Sequence, residues 1–564
     1  MSADSSEPNP VGTASDGQFG RLRERLTGDA GREQPDTALV VLAAAVATAV
    51  LSPVVWLGWR ASRLGIGEAI RLAASDTAVD VLANSLVLVG VVTAASVALG
   101  VPLAVVTVQT DLPFRRLWTV LAALPLVVPS YIGAFAYVSA FGPSGVLPDL
   151  LTQYGLGFVT PYLPTVYGLG GTALVLTLFT YPYVFLTTRA SLLSFDTTQL
   201  EAARTLNHSY PRAFRRVILP QIAPGVTAGA LLVALYTLSD FGTPAIMRYD
   251  VFTRVIYVEL NAFGQSRATL LSLQLLAVTA VILALESRVS ADTSSGYGSP
   301  ASASPVVSLG RFRWVVTLLP AGVSLFTLAF PVGILTMWLV RSGPGYSGGG
   351  LAFEPAFALN SAYAAALAAG VTVLFALPVA LYAGRSNSLL ARAVERSTYI
   401  GYAMPGVVLG LALVFFASQW LTQAVGVGVA RAVYQSLPLL VFAYVVRFLP
   451  QAVGATRSSV AGIDRDLVGA ARLLGETPSG AFRRVTLPLI SPGLLAGAAL
   501  VFLTTMKELD TTLILHPTGF TTIVTYIWRV QEAGYYGRAA LPALVLVAVS
   551  GLSMVPLLKG SDDA

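Results

Sequence analysis

The sequence predicts an all-α polytopic membrane protein with about 12 transmembrane helices in two similar six-helix halves. Hydrophobic residues make up 55% of the chain and charged residues 11%, whereas a soluble domain is roughly 25% charged. Apolar runs of about 20 residues, long enough to cross hydrocarbon at 1.5 Å per residue, recur along the chain. The alternating apolar and polar segments of a membrane barrel are absent from the sequence, so the spanning elements are expected to be helices.

Each half is predicted to contain six spans. Those of the first half are Ala38–Leu57, Ser85–Val108, Trp118–Phe141, Leu169–Thr187, Gly225–Phe241 and Thr269–Leu285. Those of the second half are Phe312–Val340, Ser361–Ala383, Thr398–Trp420, Val433–Pro450, Gly493–Met506 and Leu541–Leu558. These spans are the apolar runs between short polar stretches, where loops are expected.

Composition also predicts the domain organisation. Residues 1–36 are rich in Ser, Asp, Gly and Pro and lack an apolar h-region, so we expect a disordered cytoplasmic tail rather than a cleaved signal peptide. Residues 287–310 contain the stretch SADTSSGYGSPASASP, which has too little apolar surface to pack and predicts a flexible linker. The linker separates a first transmembrane domain, residues 37–286, from a second, residues 311–560.

The two halves repeat each other in polar as well as apolar positions. Asn84 and Ser85 match Asn360 and Ser361 in the second half. Pro102 matches Pro378, and Pro129 matches Pro405, at the same offset. Further on, AFRRVILPQIAPG matches AFRRVTLPLISPG in register. Six spans per half is an even number, so the halves should be related by a pseudo-two-fold axis along the membrane normal.

Composition excludes several kinds of site. The chain has no cysteine and two histidines, His208 and His516, which excludes disulfides, thiolate metal ligands and a histidine-rich metal site, and we expect no cofactor. The net charge of +6 comes from arginines scattered between apolar runs, which indicates membrane topology rather than nucleic-acid binding. Arginines are more frequent in alternate loops, which predicts a multi-pass protein of the plasma or inner membrane with both termini cytoplasmic.

The two longest inner loops carry a shared motif. Each loop contains Ala-Ala-Arg, followed about a dozen residues later by Leu-Pro and then Pro-Gly. Paired alanines give a short helix a low-profile surface that a partner can approach closely. Gly475 should then form a turn by adopting φ > 0, and Asn207 is a common substitute at such a position. The motif residues are Glu201, Ala202, Ala203, Arg204, Asn207, Leu219 and Pro220 in the first loop, and Gly469, Ala470, Ala471, Arg472, Gly475, Leu487 and Pro488 in the second.

These loops resemble the EAA loop of permease subunits in binding-protein-dependent ABC importers. The resemblance implies that each loop forms a coupling helix that docks on an ATP-hydrolysing subunit. The implied partners are two copies of an ABC ATPase on the cytoplasmic side, an external substrate-binding protein that is lipid-anchored or periplasmic, and membrane lipids, with no nucleic acid. Two positions depart from the family pattern, because Gly469 stands where the first loop has Glu201 and Asn207 replaces the turn glycine.

The chain is not expected to be an enzyme. Lys507 and Lys559 are its only lysines, and neither belongs to the G-x-x-x-x-G-K-[ST] phosphate-binding loop. ATP hydrolysis must then come from separate ATPase subunits.

Charged residues next to the predicted spans are candidates for the substrate pathway or a gate. Asp240 and Glu508 occupy equivalent repeat positions, within SDFGTP and KELDTT. Lys507 and Asp510 lie beside Glu508, and Lys507 is a candidate to neutralise one carboxylate. The alternative is that these groups lie at the outer interface and meet water or each other.

With its fused, duplicated halves and these two segments, the chain most resembles the ferric-iron importer permeases. The thiamine importer permeases are close relatives of that group. The resemblance therefore implies ferric iron as the substrate, with thiamine or a polyamine as alternatives. An ion-coupled secondary transporter also uses repeats and intramembrane carboxylates, but it would not need two Ala-Ala loops. A membrane scaffold or receptor without transport is a third class, which the duplicated six-span architecture disfavours.

Overall fold

The structure, a computed structural model, describes residues 37–143, 145–163, 165–194, 212, 214–262, 264–293, 307–341, 351–386 and 388–552. Within these ranges the chain is helical, and the one β-type pairing is an isolated bridge between Thr110 and Val307. The predicted all-α class is confirmed.

The helices before the linker are α1 (Thr37–Ser62), α2 (Ile66–Ala73), α3 (Asp76–Gln109), α4 (Arg115–Ala123), α5 (Ser130–Phe141), α6 (Val146–Gln153), α7 (Leu169–Leu193), α8 (Leu219–Ser239), α9 (Gly242–Ile246), α10 (Phe252–Asn261) and α11 (Gln265–Thr293). A π-helical turn, Phe214–Ile218, leads into α8, and 3₁₀ turns occupy Leu124–Val127 and Gly157–Tyr162.

The helices after the linker are α12 (Arg313–Ser324), α13 (Phe330–Val340), α14 (Pro355–Arg385), α15 (Leu389–Ala403), α16 (Gly406–Phe415), α17 (Thr422–Val425), α18 (Val427–Tyr434), α19 (Leu437–Ala461), α20 (Arg465–Leu473), α21 (Pro478–Ala481), α22 (Leu487–Met506), α23 (Asp510–Leu515), α24 (Ile523–Glu532) and α25 (Tyr536–Leu552). A 3₁₀ turn, Gly310–Phe312, precedes α12, and π-helical turns occupy Leu325–Ala329, Phe416–Leu421 and Phe482–Thr486.

Ten helices of the described chain are long and apolar enough to cross a membrane, or eleven if one bent pair counts as a single span. That bent pair, Arg115–Val127 with Ser130–Gln153, covers the predicted third span. The last predicted span corresponds to a shorter apolar helix, Tyr536–Gly551. The twelve predicted segments therefore all contain helix, and the polytopic architecture is confirmed.

Two predicted spans are interrupted in their middle, and a third, Val433–Pro450, is interrupted near its start, between Tyr434 and Leu437. The segment predicted as Trp118–Phe141 is interrupted before Ser130, and the segment Thr398–Trp420 is interrupted before Gly406. Pro129 and Pro405 stand at these breaks, because a proline disfavours helical backbone at the residue before it. These two interruptions occupy equivalent places in the repeat. A further difference lies at the linker, where α11 continues to Thr293, beyond the predicted linker start at residue 287.

The chain forms two compact units, which differ from the two sequence halves. One comprises the described residues within 37–52, 369–402 and 448–501, and its core contains Leu381, Val460 and Ile490. The other comprises the described residues within 53–368, 403–447 and 502–552. It holds a cluster around Tyr181 and Phe185 and another around Leu88, Val92 and Val233.

Small residues let α8 pack closely against α7. A Cβ atom on Gly225 would lie 2.0 Å from the Ser191 Oγ, and a Cβ on Gly229 would lie 2.3 Å from the Thr187 Oγ1 and 2.7 Å from the Val184 Cα. Two glycines four residues apart allow backbones to approach in this way, and such contacts hold membrane helices together because lipid provides no hydrophobic drive between them.

The second repeat uses the same device. A Cβ on Gly493 of α22 would lie 2.3 Å from the Ser459 Oγ and 2.8 Å from the Ala455 carbonyl oxygen of α19. A Cβ on Gly497 would lie 3.0 Å from the Ala452 Cα. The duplicated sequence therefore forms a duplicated helix pair with the same close contact.

We expect Gly229→Ala to destabilise the protein by about 1–3 kcal/mol, because the added methyl group meets backbone as well as a side chain. The apparent melting temperature of the purified chain in detergent measures the loss. Gly90→Ala is the matched control, since a Cβ on that helical glycine meets nothing within 4 Å. Equal melting temperatures for the two variants would contradict the close contact.

Candidate functional site

Two membrane helices end at equivalent positions, and a carboxylate stands at each end. Helix α8 ends at Ser239 and α22 at Met506, and each is followed within a few residues by a short helix. The Asp240 Oδ2 accepts a hydrogen bond from the Thr243 backbone N–H at 3.0 Å. The Glu508 Oε1 accepts one from the Thr511 N–H at 3.2 Å. Both carboxylates thus satisfy backbone donors at the start of a helix, where negative charge is favoured.

Asp240 is held by hydroxyl groups. Its Oδ1 accepts a hydrogen bond from the Ser130 Oγ at 2.7 Å, and that Oγ accepts one from the Tyr236 hydroxyl at 3.0 Å. The Asp240 carbonyl oxygen accepts a further hydrogen bond from the Thr253 Oγ1 at 2.8 Å. Helices α5, α8 and α10 therefore converge on this one residue.

Glu508 and Asp510 share an arginine. The Arg447 Nη1 lies 3.3 Å from the Glu508 Oε1, and its Nη2 lies 3.9 Å from the Asp510 Oδ2. The carboxylate side chains are 9% and 11% exposed, and the arginine side chain is 15% exposed. Buried carboxylates require a partner because water no longer solvates them. Arg447 supplies that partner from the middle of α19.

Lys507 is arranged differently. Its carbonyl oxygen accepts a long hydrogen bond, 3.5 Å, from the Tyr131 hydroxyl. In the part of the chain that the structure describes, no carboxylate oxygen lies within the 4.0 Å salt-bridge distance of its Nζ. Arg447, rather than Lys507, makes the salt-bridge contact with Glu508, and the neutralising role of Lys507 stays a prediction.

The four predicted pathway residues belong to one region. A Cβ on Gly242, two residues after Asp240, would lie 2.6 Å from the Tyr131 Cβ and 3.3 Å from the Leu509 Cδ2. The Tyr131 hydroxyl also donates to the Lys507 carbonyl oxygen, one residue before Glu508. The structure thus brings the two repeat-equivalent carboxylates together around this tyrosine.

The Asn-Ser pairs of the repeat hold the segments that follow the carboxylates. The Ser85 Oγ accepts a hydrogen bond from the Phe252 N–H at 3.1 Å, at the start of α10. Likewise, the Ser361 Oγ accepts one from the Ile523 N–H at 2.8 Å, at the start of α24. The neighbouring Asn360 donates to the Thr521 carbonyl oxygen at 2.9 Å. These side chains act as helix caps supplied from a distant helix.

The second Ala-Ala loop forms the short helix α20. Asp464 caps its start, and the Oδ1 of that side chain accepts from the Asp466 N–H at 3.0 Å. The helix ends in a Schellman motif: Gly475 has φ +93°, its N–H donates to the Arg472 carbonyl oxygen at 3.1 Å, and the Glu476 N–H donates to that of Ala471 at 3.1 Å. The turn predicted at Gly475 is therefore present.

One side of this loop packs and the other is open. Phe482 and Leu487 pack against the core cluster around Ile490. In contrast, Leu473 and Leu474 are 91% and 87% exposed. Gly469 and Ala470 are exposed, Ala471 is half-buried, and Arg472 and Pro488 are exposed as well. The loop thus presents small and apolar groups outward from a fixed base.

Of the first loop, the structure describes Leu219 and Pro220, which are exposed at the start of α8. The preceding π-helical turn matches the one before α22. Glu201, Ala202, Ala203, Arg204 and Asn207 lie outside the described residues.

Sequence reasoning missed Arg447, Gly406 and Ser130. Arg447 is the one charged residue of the predicted span Val433–Pro450, and that charge was the available signal. Among the described residues, no group of three or more His, Asp or Glu is arranged to hold a metal ion.

Comparison with known proteins places the chain in a family. The sequence profile of the family described as "binding-protein-dependent transport system inner membrane component" matches residues 96–290 and again residues 376–558. The chain belongs to this family. The double match agrees with the two-halves layout, and this membrane component works with a substrate-binding protein and an ATPase. Membership favours the ABC importer permease over a secondary transporter or a scaffold.

The chain is similar along its length to permeases named for iron. It is 28% identical over 531 residues to the Fe(3+)-transport system permease protein FbpB 2 of Haemophilus influenzae, covering 93% of this chain and 99% of that one. It is 24% identical over 504 residues to the ferric transport system permease protein FbpB of Actinobacillus pleuropneumoniae, covering 86% and 71%. A probable molybdenum ABC transporter permease of Haloferax volcanii is 32% identical over 240 residues, which is 42% of this chain and 86% of that one.

We expect Ser130→Ala to destabilise the protein by about 1–3 kcal/mol, because it removes a hydrogen bond to the half-buried Asp240 carboxylate and leaves the Tyr236 hydroxyl without its acceptor. Ser139→Ala is the control on the same helix, since that hydroxyl bonds to the Ala136 carbonyl oxygen. Thermal unfolding of both variants in detergent measures the difference, and a loss confined to Ser139→Ala would contradict the network at Asp240.

Proposed function

We propose that this permease translocates ferric iron delivered by an external binding protein. The observation that supports ferric iron as the substrate is the extent of the similarity, because the Fe(3+)-transport relative aligns over 99% of its own length, across both repeats. The molybdenum relative aligns over 42% of this chain, which is what shared family membership alone would give. Carboxylate oxygens at Asp240, Glu508 and Asp510 are hard donors that suit a highly charged cation.

The proposed driving partners are two ABC ATPase subunits, one for each Ala-Ala loop. Helix α20, with Leu473 and Leu474 exposed, offers the docking surface in the second repeat. We assign the same role to Ala202 and Ala203 by repeat equivalence. Closure of the ATPases on ATP then moves both loops, and α8 and α22, which start at Leu219 and Leu487, carry the movement to the helix ends at the carboxylates.

The proposed pathway includes Asp240, Lys507, Glu508 and Asp510. They lie at the ends of helices that begin at the coupling loops, so one continuous helix joins each loop to its carboxylate. The capping bonds of Thr243 and Thr511 hold the carboxylates at these ends. With the loops on the cytoplasmic side, we place both termini there too, which follows from the even number of predicted spans.

We expect Ala471→Glu to uncouple ATP hydrolysis from uptake, lowering uptake at least tenfold per ATP hydrolysed, because a bulky charge on α20 keeps the ATPase from its surface. The assay uses the complete complex in proteoliposomes, with phosphate release and uptake measured together. Ala533→Glu places the same side chain on an exposed alanine outside both loops and serves as the control. Normal coupling in Ala471→Glu would refute the docking assignment.

We expect Asp240→Asn to lower uptake of radioactive ferric iron at least tenfold, because the neutral amide no longer attracts the cation. Uptake is measured in proteoliposomes with the iron-loaded binding protein outside and ATP inside. Thiamine and spermidine are tested in parallel with the same vesicles. Uptake of thiamine or spermidine in place of iron would overturn the assignment of ferric iron as the substrate. Iron uptake by Asp240→Asn at the wild-type level would overturn the pathway assignment.

A further inference from the structure

The two repeats differ sharply at one pair of positions. The register set by the Phe-Arg-Arg-Val motif extends back into the preceding helices, where it pairs Pro182 of α7 with Pro450 of α19. In this register Phe179 is the counterpart of Arg447. A phenyl ring in the first repeat therefore stands where the second repeat has a guanidinium group.

A second exchange accompanies the first. Helices α5 and α16 both begin after a proline, and the separate register that pairs Pro129 with Pro405 pairs Ser130 with Gly406. A Cβ on Gly406 would lie 2.0 Å from the Arg447 Nη1 and 2.8 Å from the Asp510 Cβ. A serine at this position would occupy the space of the guanidinium group. Glycine is thus required for the arginine to reach its carboxylates.

The first repeat is built the other way. A Cβ on Gly133, one turn into α5, would lie 2.2 Å from the Phe179 ring, so the ring fills the space between these helices. Asp240 receives the Ser130 hydroxyl in place of a cation. In the described ranges, no lysine or arginine nitrogen lies within 4.0 Å of its carboxylate.

We propose that Arg447 is a positioning residue of the pathway that balances the charge of Glu508 and Asp510. The carboxylate that meets the cationic cargo is then Asp240, in the repeat where Phe179 takes the place of the arginine. This inference rests on the proposed pathway and adds that its two halves are electrically unequal. Glu508 and Asp510 lie within salt-bridge distance of Arg447, whereas the groups that donate hydrogen bonds to Asp240 are neutral and Arg447 acts on it only from beyond 4.0 Å. A charge held by hydrogen bonds alone remains available to an arriving cation.

The pairing is tested with the full chain by a double-mutant cycle on Gly406→Ala and Arg447→Met. Each single variant should lower the apparent melting temperature in detergent, and the double variant should lose less than the sum of the two single losses, since the methyl group then meets Asp510 and Thr511 but no guanidinium group. Gly370→Ala is the control, because a Cβ on that membrane-helix glycine has open space. Additive losses in the cycle would overturn the pairing.

Function is tested by charge rescue, with the iron-loaded binding protein as the probe. Arg447→Met should lower iron uptake at least tenfold, and adding Glu508→Gln should recover a large part of it, because one unpaired negative charge is removed. If Arg447 had only a structural role, the double variant would recover the melting temperature without recovering uptake. That outcome, or failure to recover either quantity, would overturn the proposal.

The inequality of the repeats is tested by comparing Asp240→Asn with Glu508→Gln in the same vesicles. Asp240→Asn should cost at least three times more uptake, because Arg447 in Glu508→Gln still pairs with Asp510. A loss in Glu508→Gln equal to or larger than that in Asp240→Asn would overturn the assignment of the cargo to Asp240. Normal uptake by every variant, with the stability cycle still coupled, would instead remove the whole cluster from the pathway.

Discussion

A helix that stops inside a membrane protein must find partners for its free backbone groups within the protein, and this constraint organises the region around the carboxylates. The short helices α9 and α23 begin where α8 and α22 end. Asp240 and Glu508 receive N–H groups there, and Ser85 and Ser361 receive those of the next helices from across the fold. Where such a donor is buried, leaving it unmet costs several kcal/mol by an order-of-magnitude estimate.

The same side chains that satisfy the backbone are thereby fixed in place for function. A carboxylate that caps a helix cannot rotate freely, and its remaining lone pairs point in set directions. Capping and cation attraction are therefore compatible roles of Asp240, because the Thr243 N–H and the Ser130 hydroxyl leave lone pairs on both oxygens. A purely structural role of this charge and a role in the pathway would both require the same contacts.

Much of the fold follows from the sequence because its strongest signals are local. Apolar run length predicts each spanning segment, and φ > 0 at Gly475 follows from the turn that the loop requires. The breaks at Pro129 and Pro405 were missed, although the prolines were noticed as repeat markers. Hydropathy stays high across a proline in an apolar run, so hydropathy alone cannot show where a helix ends.

The site was harder to predict because its decisive contacts are distant in the chain. Asp240 and Glu508 were found through the repeat, but their partners Ser130 and Arg447 are unremarkable in their own segments. Gly406 is still less visible, since a glycine after a proline usually indicates only a turn. Its role emerges once the guanidinium group of a helix remote in sequence is placed against it.

The opposition of Phe179 and Arg447 has a consequence for how such a permease can be assembled. Two identical subunits around an axis must carry the same residue at both positions, so a homodimer would have two arginines or none. Joining the copies in one polypeptide lets each diverge alone while their ratio stays one to one. Covalent fusion thus keeps one phenylalanine and one arginine in every molecule, which random pairing of interchangeable subunits would not.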